Sequence, residues 1–193
     1  MSNALATLSL EKGQKTSLSK ASPGLNRIQI GLGSKPAAKA GEQFDLDVVA
    51  YLLTADNKLT STDRMIWYKN EMTPSDAVFK TPDNLTGEGD GDDETIFINW
   101  SQLPVDVKQV AIFCNIYDAK NRNQSFGRVN DAYIRIMNAE TGEEIKRYEL
   151  NEKASDETGF LMGKVYDSDG EIKFEAGGFP NNASITEIAQ QFQ

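Results

Sequence analysis

Apolar and polar residues alternate along much of the chain, in short runs that Gly, Pro, Asn and Asp interrupt. A period of two is typical of β-strands with one buried face. The pattern predicts a hairpin of residues 5–10 and 16–18, followed by strands at 26–32, 44–53, 65–68, 95–100, 133–137, 144–150, 158–165 and 172–176. The regular spacing of these runs predicts an all-β fold. We expect a single domain over residues 1–193, a β-sandwich of two mainly antiparallel sheets with short helices.

Some segments depart from this alternation. Residues 108–117 are apolar on both faces, which predicts a central strand. The last ten residues carry apolar side chains at helical spacing, and Ser184 with Glu187 three positions later forms a capping-box pattern, so we expect a C-terminal helix. Residues 33–41 and 69–93 are rich in Gly, Pro and polar residues and are predicted to be loops. A loop as long as the second is usually functional or disordered.

The acidity of the chain is concentrated in two places. The formal net charge is −9, from 29 acidic and 20 basic residues. Asp45 and Asp47 supply two carboxylates, and residues 83–94 supply six more without any Lys or Arg. These eight carboxylates account for nearly the whole excess of negative charge. The acidity therefore indicates a cation site rather than a generally acidic surface.

Oxygen donors and glycines are interleaved within the second acidic segment. Proteins bind calcium through six to eight oxygen ligands from carboxylates, amides and backbone carbonyls. Side-chain donors of this kind are Asp83, Asn84, Glu88, Asp90, Asp92 and Asp93. Gly87, Gly89 and Gly91 lack a Cβ, so the backbone can curl and present its carbonyls to an ion. Carboxylates packed so closely repel one another unless a cation is bound, so the segment predicts a Ca²⁺ site. A solvated acidic loop, or protection against edge-strand pairing, is the alternative.

Asp45 and Asp47 interrupt an otherwise apolar strand. Residues two apart on a strand share a face, so both carboxylates are expected on one side, with Phe44, Leu46 and Val48 on the other. Acids in an apolar strand conflict with the local pattern, and such conflicts tend to mark functional sites. We expect the two carboxylates to line the same ion site as the acidic segment. An exposed strand face is the alternative.

A second polar loop at residues 121–127 follows Asp118. Its carboxylate and amide oxygens are compatible with a further cation site, and equally with a hydrogen-bonded turn between two strands.

Composition also excludes several classes of function. The chain has no His, which excludes Ser-His-Asp and Cys-His catalysis, and its one Cys, Cys114, is interpreted as a small buried hydrophobe. An acidic surface repels nucleic acid, so no nucleic-acid partner is expected. The N-terminus lacks a basic start followed by an apolar run, and no stretch approaches the roughly 18 apolar residues of a membrane span. We expect a cytoplasmic protein that is not an enzyme.

Several sequence segments together closely resemble the TerD family of tellurium-resistance and general-stress proteins. The matching segments are SLSK at 17–20, GLG at 31–33, FDLD at 44–47, DNLTGEGDGDDE at 83–94, NRNQSFGRVNDAYIRIMN at 121–138 and residues 157–174. The resemblance implies a β-sandwich with calcium sites built from the acidic segments. By position it implies Asp45, Asp47 and the run that ends at Glu94 as ligands.

The same resemblance implies a role in resistance to tellurite and other stresses, in the bacterial cytoplasm and near the inner face of the membrane, with no enzymatic activity. Our first hypothesis is therefore a calcium-dependent binding or scaffold module with protein partners in a stress-response assembly. One alternative is a peripheral adaptor at the inner membrane, in which calcium bridges the carboxylates to anionic lipid. Another is an enzyme acting on tellurite or a phosphorylated substrate, which one cysteine and no cofactor motif support poorly.

Overall fold

The apolar faces of the strands meet between two antiparallel sheets, which confirms the predicted β-sandwich. The structure is a computed structural model that describes residues 13–35, 44–81, 91–149 and 156–193. No helix in these ranges is long and apolar enough to cross a membrane.

Each sheet combines strands that are distant in the sequence. Sheet A contains β1 (Lys15–Ser17), β3 (Leu46–Leu53), β4 (Met65–Ile66), β7 (Gln109–Ile116), β10 (Gly159–Ser168) and β11 (Glu171–Asn181). Its strand order is β1-β11-β10-β7-β3-β4. Sheet B contains β2 (Arg27–Lys35), β5 (Val78–Lys80), β6 (Glu94–Asn99), β8 (Asn130–Asn138) and β9 (Glu143–Glu149). Its strand order is β5-β6-β2-β8-β9.

The helices in the described ranges are short. They are α1 (Leu18–Ala21), α2 (Ala119–Arg122) and α3 (Ile185–Gln190), with single 3-10 turns at Thr62–Arg64, Trp100–Gln102 and Phe126–Arg128. The predicted capping box at the start of α3 is confirmed, because Ser184 and Glu187 hydrogen-bond each other's backbone N–H. The apolar face of α3 covers the outer face of sheet A.

β3 and β7 lie at the centre of the protein and are buried on both faces. Every residue of β3 is buried, and β7 lies between β10 and β3, which confirms the predicted central strand. Leu46 and Val48 pack in the core between the sheets, whereas Val49 and Tyr51 pack under α3 on the outer face of sheet A. A polar side chain on β3 therefore needs a specific partner, because both faces of the strand exclude water.

Some of the predicted element boundaries were wrong. The loop predicted at 33–41 begins later, since β2 continues to Lys35 and pairs with β8. The loop predicted at 69–93 contains β5, which pairs with β6 and so gains strand structure from a partner that local sequence does not reveal. The strand predicted at 65–68 is reduced to β4. The predicted strand at 5–10 lies outside the described residues, and its expected partner β1 pairs with β11.

Candidate acidic site

Asp45 and Asp47 lie at the start of β3 and are almost completely buried. Their exposed fractions are 4% and 3%. Phe44, Leu46 and Val48 pack in the core between the sheets, so the two carboxylates share the opposite face of the strand, as predicted, and that face is the outer side of sheet A. A guanidinium nitrogen of Arg122 lies 3.8 Å from Asp45 Oδ2. Burial raises the pKa of the Tyr68 hydroxyl, and the negative charge of Asp47 adds to the rise.

Asn115 lies opposite Asp47 in the β3–β7 register and extends the oxygen-rich patch. Its Nδ2 donates to Asp47 Oδ2 at 3.4 Å, and its Oδ1 is buried without a hydrogen-bond donor. The sequence analysis did not single out this residue. The available signal was the same as for the two acids, namely a polar side chain inside an apolar strand.

Glu94 is the first residue of β6 and forms an ion pair within sheet B and a hydrogen bond to β3 of sheet A. Its exposed fraction is 1%, and its Oε1 lies 2.6 Å from the ammonium of Lys80 on β5, with both side chains fully buried. Its Oε2 accepts a 2.6 Å hydrogen bond from the backbone N–H of Val48. β4 pairs with β3 only at Ala50 and Tyr51, so Val48 lies on a part of β3 that β4 does not cover. Glu94 therefore stabilises the open edge of β3 from the opposite sheet.

Asp92 lies on the outer face of sheet B, where it forms a bidentate ion pair. Arg135 donates from Nε and Nη2 at 2.8 and 3.1 Å, and the Tyr133 hydroxyl donates to Oδ1 at 3.1 Å. The carboxylate lies directly over Gly31, where a Cβ would come within 2.0 Å of Oδ2. Gly31 is thus required to leave room for Asp92. As calcium ligands, Asp92 and Glu94 remain predictions, and binding an ion would require these ion pairs to rearrange.

Asp93, between them, has a different environment. Its side chain is buried, and its Oδ2 accepts a 3.0 Å hydrogen bond from the Ser34 hydroxyl. Burial raises the pKa of this carboxyl, the hydrogen bonds from Ser34 oppose the rise, and the nearby negative charge of Asp92 adds to it. A cation is the kind of partner that would offset the cost of ionising Asp93.

The remaining predicted ligands Asp83, Asn84, Glu88 and Asp90 lie outside the described residues. Within the part of the chain that the structure describes, no three carboxylates form a group close enough to hold a metal ion. The acids are divided between the outer face of sheet A, the edge between the sheets and the outer face of sheet B. The two acidic segments do meet at the open edge of β3. There the backbone N–H of Val48, next in sequence to Asp47, donates to the carboxylate of Glu94, next in sequence to Asp93.

The second polar loop forms a compact turn. Asp118 adopts a left-handed backbone conformation with φ of 51° before α2, and its Oδ1 accepts a 2.7 Å hydrogen bond from Asn121. Part of the segment predicted as a loop is therefore helical, in α2 and in the 3-10 turn at Phe126–Arg128. This arrangement agrees with the interpretation of a hydrogen-bonded turn.

The fold and the buried acids define an all-β sandwich protein with two buried carboxylates at the start of its central strand β3. The TerD domain model matches residues 6–192, nearly the whole chain, and the chain belongs to this family.

Named relatives match over almost their full lengths. General stress protein 16U of Bacillus subtilis (strain 168) is 40% identical over 187 residues, covering 96% of this chain and 97% of that protein. Tellurium resistance protein TerD of Serratia marcescens is 39% identical over 186 residues, with the same coverage of 96% and 97%. A crystal structure of a telluride resistance protein (TerD) homologue from Streptomyces coelicolor A3(2) superposes with a TM-score of 0.71 at 16% identity, covering 86% of this chain and 96% of that chain. That likeness shows the shared fold.

Proposed function

We propose that this protein binds calcium and acts in the bacterial stress response as a calcium-dependent binding or scaffold module for protein partners, without catalysing a reaction. The family membership supports the stress-response part of the proposal, because the relatives are named for tellurium resistance and general stress. The calcium part rests on the described acids.

The observation that carries the proposal is the burial of Asp45 and Asp47 on one face of a central strand. Two carboxylates at 4% and 3% exposure are costly to hold side by side unless positive charge compensates them. Arg122, 3.8 Å from Asp45, supplies one such positive charge. A divalent cation at this position would offset the repulsion.

The donor set fits a hard cation. The described candidates supply only carboxylate and amide oxygens, which is the ligand chemistry of calcium and magnesium. Since the described carboxylates do not complete a site, Asp83, Asn84, Glu88 and Asp90 stay the predicted remaining ligands. Among the described residues, Asp45, Asp47 and Asp93 are the first candidates, because Asp92 and Glu94 are held in ion pairs. When bound, calcium would neutralise these carboxylates and fix the donors around it. We prefer calcium over magnesium because calcium has a larger and more variable coordination shell, which suits a site with many protein ligands.

A non-catalytic role is supported by the chemistry of the available side chains. The chain has no His, and its single thiol, Cys114, has no exposed surface. Burial raises the pKa of the Cys114 thiol, which keeps it protonated and unreactive. A binding module is therefore better supported than an enzyme that uses a thiolate or imidazole.

Calorimetric titration of the chelator-treated protein with calcium and with magnesium tests the proposal. We expect a calcium dissociation constant of roughly 10⁻⁷–10⁻⁵ M, as for calcium sensors, and weaker magnesium binding. Asp45→Asn/Asp47→Asn should abolish calcium binding. The matched control is Asp167→Asn/Asp169→Asn, in which two acids equally spaced in an exposed hairpin turn are neutralised. Equal calcium binding by both double variants would contradict the proposal.

A further inference from the structure

A row of mainly apolar side chains crosses the outer face of sheet B. The strand register aligns Met72, Phe79, Phe97, Gln29 and Met137, and each of them is at least partly exposed. In β5, β6, β2 and β8, the residue before the outward side chain packs in the core, so the row faces away from sheet A. Met72, at 50% exposure, is the most exposed of the five. Aromatic residues and methionine are enriched at protein–protein interfaces, so this row has the composition of a docking surface.

Arg27 lies beside this row, two residues before Gln29 on β2 and therefore on the same face. Its guanidinium carbon is 5.7 Å from the ring centroid of Phe79 and 5.2 Å from that of Phe97. The two rings also stack against each other, with 5.0 Å between their centroids. The rings are thus used within the chain itself, and their role is to hold the guanidinium in place.

Arg27 has no anionic partner among the described residues, although the chain carries a net charge of −9. By contrast, Arg135 and Arg147 on the same face are paired with Asp92 and Glu144. Arg27 Nε is buried without an acceptor, whereas its two terminal nitrogens, which also form no hydrogen bond with the described residues, are not buried. A ligand can therefore reach the terminal nitrogens, whose fork geometry fits the two oxygens of a carboxylate.

A single free guanidinium favours a carboxylate over a phosphate group. Phosphate recognition usually draws on a cluster of arginines, and Arg135 and Arg147 are already neutralised by their own partners. The apolar row favours a carboxylate carried by a polypeptide over a free ion, because an apolar neighbour of the acid would be buried against Met72. Arginine is also among the residues that most often anchor protein interfaces.

We propose that this face docks a protein segment that presents a carboxylate to Arg27 and an apolar side chain to Met72. The inference rests on the binding-module part of the proposed function and gives that module a surface on sheet B. Asp45 and Asp47 lie on the outer face of the other sheet, so docking here requires no calcium. The test is therefore run with chelator, and its failure would leave the result of the calcium titration unchanged.

Methionine methyl groups report on this face. Met72 lies on the row, whereas Met65 and Met162 belong to sheet A and are buried at 5% and 6% exposure. The full chain, labelled with carbon-13 at the methionine methyls, is titrated with acetyl-Leu-Thr-Glu-Thr-Leu-amide, whose extended form places Glu and both Leu on one side. We expect a saturable NMR shift of the Met72 methyl, with a dissociation constant of about 1–10 mM for so short a peptide, and unchanged Met65 and Met162 signals.

Two comparisons show whether the carboxylate meets Arg27. The same peptide with Gln in place of Glu should bind the unaltered protein about tenfold or more weakly, because it loses the charged hydrogen bonds. Arg27→Met should weaken binding of the Glu peptide by a similar factor. Arg64→Met is the matched control, since Arg64 is paired with Asp106 in the turn before β4 of sheet A, and it should leave affinity unchanged. The Gln peptide keeps the test decisive should Arg27→Met fail to fold.

Sodium acetate distinguishes a docking surface from a site for a free ion, and at the same concentrations it should give no saturable shift. Acetate binding as tight as that of the Glu peptide would overturn the inference. So would the absence of a saturable Met72 shift with the Glu peptide, equal affinity for the two peptides, or equal affinity in Arg27→Met and Arg64→Met.

Discussion

The Lys80–Glu94 ion pair of sheet B provides a quantitative test of how Glu94, which also accepts a hydrogen bond from β3 of sheet A, is held in the core. Both side chains are fully buried and their charged atoms are 2.6 Å apart. Replacing Lys80 by Met removes the cation but fills a similar volume, and it leaves a buried carboxylate with the Val48 N–H as a remaining donor.

The expected cost is large because the Glu94 carboxylate stays buried in the core after its cation is removed. Breaking a buried ion pair by removing one partner costs about 3–5 kcal/mol. In a protein of this size 1 kcal/mol shifts the melting temperature by roughly 2–4 °C, so Lys80→Met should lower it by roughly 6–20 °C. The double variant Lys80→Met/Glu94→Gln removes both charges and keeps an acceptor for Val48, so it should recover most of the loss.

Thermal and urea denaturation, followed by circular dichroism, measure these differences. The matched control is Lys15→Met, which breaks the exposed 3.8 Å pair between Lys15 and Glu175 and should cost less than about 1 kcal/mol. If Lys80→Met were no more destabilising than Lys15→Met, the Lys80–Glu94 pair would not be a buried ion pair on which the stability of the fold depends. If Glu94 were a calcium ligand, Lys80→Met would also raise calcium affinity by releasing its carboxylate.

Three further substitutions test local features. Gly31→Ala should destabilise the fold by about 1–3 kcal/mol in urea denaturation, because the new Cβ would collide with the Asp92 carboxylate. The same cost of Gly31→Ala in an Asp92→Ala background would refute this contact. Ser184→Ala should cost about 1 kcal/mol by removing the cap of α3. Thr186→Ala removes a neighbouring hydroxyl but keeps Ser184 Oγ as the acceptor for the Glu187 N–H, so it should cost clearly less. Gly170 has a φ of 80° and free space around it, so Gly170→Val should cost about 1–2 kcal/mol through backbone strain alone, and Gly170→Asn should cost less. Equal melting temperatures of the two variants would contradict this explanation.

The strongly apolar and locally determined elements were predictable from sequence. Residues 108–117, which are apolar on both faces, predicted the central strand β7, and Ser184 with Glu187 predicted the start of α3. These signals depend on neighbouring residues in the chain. By contrast, β5 lies among Pro and polar residues, and its strand structure depends on pairing with β6.

The candidate site was predictable in composition but not in geometry. Sequence spacing placed Asp45 and Asp47 on one face, and burial agrees. The sequence analysis grouped Asp92 and Glu94 with the other acids. Nothing in the local sequence indicates that Asp92 pairs with Arg135, which is 43 residues away. Long-range ion pairs of this kind follow from the strand order of the sheets, which the alternation of residues does not specify.

The central claim is that the acids at the edge of β3 bind calcium. Its most direct test is the melting temperature of the chelator-treated protein, measured alone, with calcium and with magnesium at equal concentration. A ligand at 100 times its dissociation constant stabilises a fold by about 2.7 kcal/mol, which for this chain length corresponds to a rise of roughly 5–10 °C. We predict that rise with calcium, little change with magnesium, and loss of the calcium effect in Asp45→Asn/Asp47→Asn. An unchanged melting temperature with saturating calcium would contradict the claim.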